Sequence, residues 1–105
     1  MLGIPAVRHW VLVVSLDSRN LSERVDSVLV VPFSSQGADG PTTLRFEPGE
    51  TGLPASSWLK GHFITTLKKS LLGERLPRSF SAARMRQVTL AIQRAFDPDS
   101  PPRQA

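Results

Sequence analysis

The sequence contains no cysteine, and its two histidines are His9 and His62. The absence of cysteine excludes disulfide bonds and cysteine-ligated zinc. Two histidines are too few to hold a typical metal ion unaided. We therefore predict a protein without a structural metal or a cofactor.

Long apolar runs are also missing. Residues 1–7 lack both the basic start and the apolar core of a signal peptide, and no later run approaches the length of a membrane span. The sequence therefore predicts a cytoplasmic protein that makes no use of a membrane.

Acidic residues are scarce in the second half of the chain. Residues 60–94 hold eight lysines and arginines against Glu74 alone, whereas residues 1–55 hold four basic and six acidic residues. A cationic region of this kind attracts phosphate backbones or an acidic protein segment. A surface that only confers solubility explains the same composition equally well.

The chain is organised around the apolar run Val28–Phe33, which ends at Ser34 and Ser35. A short run rich in β-branched residues and closed by turn-forming residues predicts a core strand. The run Trp10–Ser15 has the same character, so we expect the two strands to lie side by side. Polar residues at the ends of core strands are candidates for chemistry, and here these are Ser34, Ser35 and Gln36.

The remaining pattern predicts a mainly β protein with a C-terminal helix. Residues 42–47 alternate as a half-exposed strand does, and residues 57–67 fit a strand that places Trp58, Lys60 and His62 on one face, where Gly61 permits a bulge. A helix begins after Ser81 as N-cap and buries Met85, Val88, Ile92 and Phe96. Short strands before one terminal helix indicate a strongly twisted sheet or a partly closed barrel.

We expect one domain over residues 8–96, because 105 residues leave little room for a second core. Residues 1–7 are predicted to be an irregular lead-in. Residues 97–105, which are rich in proline, are predicted to be a disordered tail.

Five segments of the sequence, taken in order, resemble the MazF/PemK family of toxins from type II toxin-antitoxin systems. The segments are Val11–Ser15, Val28–Gln36, Glu50–Ser57, His62–Leu71 and Phe80-Ser81. The Gly-Leu-Pro turn with its serine pair in the third segment, and the spacing of Ile64, Thr66 and Lys69 in the fourth, make the resemblance specific.

The resemblance implies a small SH3-like barrel of the CcdB/PemK type with a C-terminal helix. It further implies a homodimer that cleaves single-stranded RNA at short sequences without a metal ion. The implied partners are therefore single-stranded RNA and a cognate antitoxin, whose flexible acidic segment lies in the same groove as the RNA.

The resemblance also assigns residues. The family places an arginine before the first core strand, close to Arg8, and a hydroxyl residue after the second, where this chain has Ser34. A guanidinium clamps phosphate and a hydroxyl donates to it, as the transition state of RNA cleavage requires. His9 and His62 are candidates for proton transfer. The residues expected to bind RNA are Ser35, Gln36, Arg45, Lys60, Lys68 and Lys69.

Three departures from the family pattern leave alternatives open. The family's first strand and glycine-rich loop have no counterpart in residues 1–7, His9-Trp10 stands where many members have proline, and Gly61-His62 stands where several have an acid. The first alternative is a truncated or non-catalytic member that binds antitoxin or RNA without cleaving it. A toxin that binds a topoisomerase ranks third.

Overall fold

A computed structural model describes residues 2–4, 7–75 and 79–98, and for residues 2–4 and 7–9 it describes the backbone. Within these ranges the strands are β1 Leu2–Ile4, β2 Val7–His9, β3 Val11–Val13, β4 Ser27–Ser34, β5 Thr43–Phe46, β6 Ser57–Lys60 and β7 Thr65–Lys68. The helices are α1 Asp17–Asn20 and α2 Ala82–Gln93, and 3₁₀ turns cover Gly61–Phe63 and Lys69–Leu71.

Strand β4 lies at the centre of a five-stranded antiparallel sheet. Strand β3 pairs with one edge of β4, while β6 and β7 pair with the other, and β5 pairs with β6. The valines at positions 28, 30 and 31 are almost fully buried, at 3%, 0% and 0% exposure. The prediction that this apolar run forms a core strand beside Val11–Val13 is confirmed.

Strands β6 and β7 follow the same edge of β4 with three residues inserted between them. Phe33 of β4 pairs with Leu59, and Val30 pairs with Thr65, so three steps along β4 correspond to six steps along β6 and β7. The inserted residues form the 3₁₀ turn Gly61–Phe63, which we call the Gly61 turn. The sequence predicted one strand with a bulge at Gly61. The alternation of faces instead ends at Lys60, because the turn folds out of the sheet.

The sheet is covered on one face by α2 and carries a smaller apolar cluster on the other. The cluster under α2 consists of Val31, Leu44, Phe46, Leu59, Val88 and Ala91. On the opposite face, Val28 and Val30 pack with Leu67. Because side chains alternate between faces along β4, both clusters draw on the same strand.

Helix α2 begins where the sequence predicted. The Ser81 Oγ accepts a hydrogen bond from the backbone N–H of Arg84 at 3.1 Å, which satisfies one of the free donors of the first turn. The Arg84 guanidinium lies 4.2 Å from the ring centre of Phe46 and 3.1 Å from the Glu50 carboxylate, so it joins the helix to the sheet. Phe96, which was predicted to be in the core, is 71% exposed because the helix ends at Gln93.

The mainly β architecture with a terminal helix is confirmed, and the sheet does not close into a barrel. In the described chain, the outermost strands β3 and β5 each pair with a single neighbour. None of the described helices has the length and hydropathy needed to cross a membrane.

The predicted irregular lead-in is wrong for the residues described there. Strands β1 and β2 form an antiparallel pair in which Leu2 lies opposite His9 and Gly3 opposite Arg8. Backbone pairing within so short a segment leaves little side-chain pattern for sequence analysis to detect. At the other end, the backbone N–H of Asp97 donates to the Gln93 carbonyl at 2.7 Å. The rest of the predicted tail, residues 99–105, lies outside the described residues.

The Gly61→Ala variant tests the contact between the Gly61 turn and α2. A Cβ at this position would lie 2.8 Å from backbone atoms of Ala91 and Ile92, and a helix backbone cannot move aside cheaply. We expect the free energy of unfolding in urea to fall by about 1–3 kcal/mol. Gly40→Ala is the matched control, because no atom lies within 4 Å of its added Cβ. Equal stability of the two variants would contradict this packing.

Candidate functional site

Three side chains form a row across the sheet at the C-terminal end of β4. Ser34 pairs directly with Trp58, and Trp58 pairs with Arg45. Directly paired residues point to the same side of a sheet, and their neighbours Leu44, Phe46 and Leu59 face α2. The row therefore lies on the opposite side. Lys60, two residues after Trp58, lies on that side too, and we call Ser34, Arg45, Trp58 and Lys60 together the outer face.

Trp58 is held between a glycine and a guanidinium. A Cβ on Gly37 would lie 2.6–2.8 Å from atoms of the Trp58 side chain, so only glycine lets the loop after β4 approach the tryptophan this closely. The Arg45 guanidinium lies 5.9 Å from the ring centre of Trp58, within the range of a cation–π contact. The indole is half-buried, with contacts on both sides.

Arg45 is held by contacts that a phosphate is able to replace. Its Nη1 lies 3.0 Å from the Glu47 carboxylate, and its Nη2 donates to the Ser56 Oγ at 3.2 Å. The two charged side chains are 47% and 66% exposed. An ion pair this exposed to water contributes about 0–1 kcal/mol. If a phosphate replaced the Glu47 carboxylate as the partner of Arg45, little free energy would be lost from the broken ion pair.

Ser34 is half-buried, and its hydroxyl oxygen makes a hydrogen bond with the loop that follows β4. The Ser34 Oγ accepts a hydrogen bond from the backbone N–H of Gln36 at 3.2 Å. Because this bond uses a lone pair of the oxygen, the hydroxyl proton is left to donate. The side chains of Ser35 and Gln36 are exposed beside it.

Arg8 and His9 are brought towards this end of β4 by the backbone. The N–H of Phe33 donates to the Trp10 carbonyl at 2.9 Å, so the chain that precedes β3 runs beside the end of β4. Two residues of chain span at most about 7 Å, which bounds the distance from the Cα of Trp10 to that of Arg8. The side chains of Arg8 and His9 lie outside the described part of the structure.

The Gly61 turn follows Lys60 and carries His62 and Phe63. The His62 Nδ1 and the Thr42 Oγ1 are hydrogen-bonded at 2.8 Å, which leaves Nε2 of the exposed ring for another partner. The Lys60 Nζ lies 5.7 Å from the ring centre of Phe63. A cation, an imidazole and a phenyl ring are thus grouped at one corner of the sheet.

Lys68 and Lys69 lie at the opposite end of β4 from Ser34. Lys68 pairs with Ser27, and the seven steps along β4 from Ser27 to Ser34 span roughly 23 Å. Lys69 has a structural role, because its Nζ donates to the carbonyls of Arg19 at 3.0 Å and Ser22 at 2.7 Å. The structure therefore separates these two lysines from the other predicted residues.

Trp58, Phe63 and Gly37 were not among the site residues predicted from the sequence. A tryptophan on the same strand face as a lysine is a signal that was present in the sequence. The close approach of Gly37 to Trp58 had no such signal, because the two residues are distant in the chain.

A groove of about 690 Å³ lies along the free edge of β3, away from the outer face. Its apolar lining includes Trp10, Leu12, Phe33, Phe80 and Met85. Among the predicted site residues with described side chains, none lines it. The outer face, which is open rather than enclosed, is the better candidate for binding a flexible polymer.

Solved structures define the class of fold. One described as an endoribonuclease in complex with its cognate antitoxin, from a mycobacterial species, matches with a TM-score of 0.78 and 22% identity over 95% of this chain and 91% of that chain. The Mycobacterium tuberculosis toxin MazF-mt6 matches with a TM-score of 0.73 and 21% identity over 85% of this chain and 86% of that chain. At these identities the likeness establishes a MazF-like fold.

The sequence itself identifies the family. The model of the PemK-like, MazF-like toxins of type II toxin-antitoxin systems matches residues 5–96. The chain belongs to this family, as the ordered segments predicted. A comparison with curated proteins finds no match.

The two neighbouring lysines at positions 68 and 69 allow a test of the structural role of Lys69. We expect Lys69→Met to lower the free energy of unfolding in urea by about 1–3 kcal/mol, because two carbonyls lose a charged donor. Lys68→Met removes the same charge from an exposed side chain and should change stability by no more than about 0.5 kcal/mol. The assignment fails if the two variants unfold at the same urea concentration.

Proposed function

We propose that this chain is the toxin of a toxin-antitoxin pair and that it cleaves single-stranded RNA at selected sequences without a metal ion. The observation that carries the proposal is the outer face, where the Ser34 hydroxyl, the Trp58 indole and the cations of Arg45 and Lys60 share one side of the sheet. The backbone leading to Arg8 runs beside the same end. Family membership and the mycobacterial neighbours described as endoribonucleases support this activity.

The proposed reaction uses a nucleophile that the RNA supplies. The ribose 2′ hydroxyl attacks the adjacent phosphorus and gives its proton to a base, while the bond to the 5′ oxygen of the next nucleotide breaks and that oxygen takes a proton. The products are a 2′,3′-cyclic phosphate and a free 5′ hydroxyl. The protein must therefore supply a base, an acid and positive charge for the crowded phosphorane.

In this scheme Arg8 clamps the phosphorane and Ser34 donates a hydrogen bond to it. A guanidinium binds two phosphate oxygens at once, and the free hydroxyl proton of Ser34 suits donation to a developing negative charge. His9, which follows Arg8 in the chain, is our candidate for proton transfer at the same phosphate.

His62 is assigned to a neighbouring nucleotide. It lies four residues beyond Trp58, which is opposite Ser34, and the first two of these steps alone span roughly 7 Å of strand. This separation favours a role for His62 away from the phosphate bound by Ser34. The exposed imidazole, held by Thr42, is instead placed to contact the RNA further along the outer face.

The RNA-binding surface proposed here consists of Ser35, Gln36, Arg45 and Lys60 around the row, with Lys68 as a distant contact for a longer strand. Lys69 is left out because its ammonium is bound to carbonyls of the fold. An antitoxin with a flexible acidic segment competes for the same cations.

We also propose a homodimer in the cytoplasm. The free edges of β3 and β5 in the described sheet leave backbone donors and acceptors that a two-fold partner is able to cover.

Cleavage is tested with a long single-stranded RNA in EDTA, by mapping the new 5′ ends. We expect Arg8→Ala and Ser34→Ala each to abolish site-specific cutting. Both should leave the thermal midpoint nearly unchanged. Ser34 is the last residue of β4 and lies outside the buried clusters, and the pairing of Arg8 in β2 with Gly3 in β1 uses backbone groups that alanine retains.

Matched controls are Arg24→Ala and Ser70→Ala, which remove the same side chains from exposed positions away from the outer face. The controls should cut as the natural chain does. Cutting that survives Arg8→Ala would refute the assigned site, and no cutting by any form would favour the non-catalytic alternative.

Salt dependence tests whether the outer face binds phosphates. We expect the logarithm of the affinity for single-stranded RNA to fall linearly with the logarithm of salt concentration, with a contribution of about 0.7 to the slope from each phosphate contact. The double variant Arg45→Gln, Lys60→Gln should show a shallower slope. The double variant Arg24→Gln, Arg86→Gln removes the same charge at exposed sites elsewhere, and an equal effect there would point to net charge rather than to this face.

A further inference from the structure

Phe63 is a large aromatic side chain that the fold exposes at a fixed place. Phe63 is 54% exposed although it lies only two residues after Gly61, which is buried. A ligand that covers the ring would gain free energy by removing this apolar surface from water.

The backbone beneath Phe63 is held on several sides. The N–H of Gly61 donates to the Thr42 carbonyl at 2.6 Å, and the N–H of Ile64 donates to the Gly61 carbonyl at 3.2 Å. Gly61 lies against the α2 backbone, and Ile64 packs against the core. The ring is therefore presented on a supported turn rather than on a free loop.

Phe63 is flanked by groups that favour an anionic ligand. The Lys60 Nζ lies 5.7 Å from its ring centre, and the His62 ring centre lies 4.6 Å away with the two planes inclined by 52°. The stretch of sequence from Lys60 to Gly73 contains no aspartate or glutamate. An exposed π-face beside a cation is the arrangement that single-stranded nucleic acids use, with the base on the ring and the phosphate on the cation.

We infer that Phe63 is a stacking platform for one unpaired base of the RNA, with Lys60 on the adjoining phosphate. The inference rests on the proposed function for the identity of the ligand, and it adds a base-binding position that the row at Ser34 lacks. Lys60 links this position to the row: it follows Trp58 by two residues on the outer face, and its Nζ lies 5.7 Å from the Phe63 ring centre, so one strand of RNA continues from Ser34 past Trp58 and Lys60 to Phe63.

A second copy of this chain is a poorer occupant than RNA. In a two-fold contact centred on Phe63, Lys60 of one copy would face Lys60 of the other. Like charges placed opposite each other destabilise such a contact. The charge around the ring therefore favours a polyanion.

The test uses single-stranded 12-mers of mixed sequence, 2′-O-methylated throughout so that no 2′ hydroxyl is available for cleavage, with 2-aminopurine at the centre. We expect the natural chain to bind this pool and to quench the 2-aminopurine fluorescence. Phe63→Ala should weaken binding by about 5- to 150-fold, the range that corresponds to loss of one stacked base, and should abolish the quenching. Phe63→Trp should retain both.

Two further variants separate stacking from other roles of the ring. Phe63→Leu keeps an apolar side chain without a π-face, so it should behave like Phe63→Ala. Phe96→Ala removes another exposed phenylalanine, which follows the end of α2, and should bind like the natural chain. Light scattering without RNA, together with urea unfolding, should give the same oligomeric state and stability for Phe63→Ala as for the natural chain.

The inference is overturned if the natural chain does not bind the pool, if Phe63→Leu binds and quenches fully, or if Phe63→Ala changes the oligomeric state, which would place the ring between copies. Its failure is distinguishable from failure of the proposed function. If quenching depends on Phe63 but the chain does not cut natural RNA, the stacking inference holds and the proposed nuclease activity fails. If Phe63→Ala cuts natural RNA with the KM of the natural chain, the nuclease activity holds and the stacking inference fails.

Discussion

The hydrogen bonding of β4 on both of its edges is the constraint on which the rest of the molecule depends. This strand pairs with β3, β6 and β7, and its alternating side chains enter the apolar clusters on both faces of the sheet. A strand with a partner on each edge and apolar contacts on each face has little freedom to shift register. The end of β4 is therefore a rigid place for Ser34, between the backbone that leads to Arg8 and the side chain of Trp58.

The three residues inserted between β6 and β7 connect the sheet to its helix and also to its candidate chemistry. The segment that runs from β6 to β7 along one edge of β4 contains three more residues than the part of β4 that it pairs with. The Gly61 turn, which holds these residues, therefore leaves the sheet towards α2. The close contact of Gly61 with the helix backbone fixes the turn. The same displacement exposes His62 and Phe63, so one irregularity of the strand both anchors the helix and presents two rings to solvent.

Positive charge in this chain has two different uses, which composition alone does not separate. Lys69 and Arg84 are committed to the fold, the first through backbone carbonyls and the second through Glu50 and the ring of Phe46. Arg45 and Lys60 lie over aromatic rings at the surface, where their contacts with water and with exposed groups are readily exchanged. The cations near aromatic rings on the outer face are the ones suited to a nucleic acid.

The sequence by itself determined the core strand, the N-cap at Ser81 and the family, because apolar runs, capping residues and ordered motifs are local signals. It also placed Ser34 at a strand end. Only the tertiary structure decided that Lys68 lies far from Ser34, that β1 and β2 pair, and that the terminal helix leaves Phe96 exposed. These outcomes depend on strand register and on contacts between distant residues, such as Gly37 with Trp58, and a one-dimensional pattern carries no record of either.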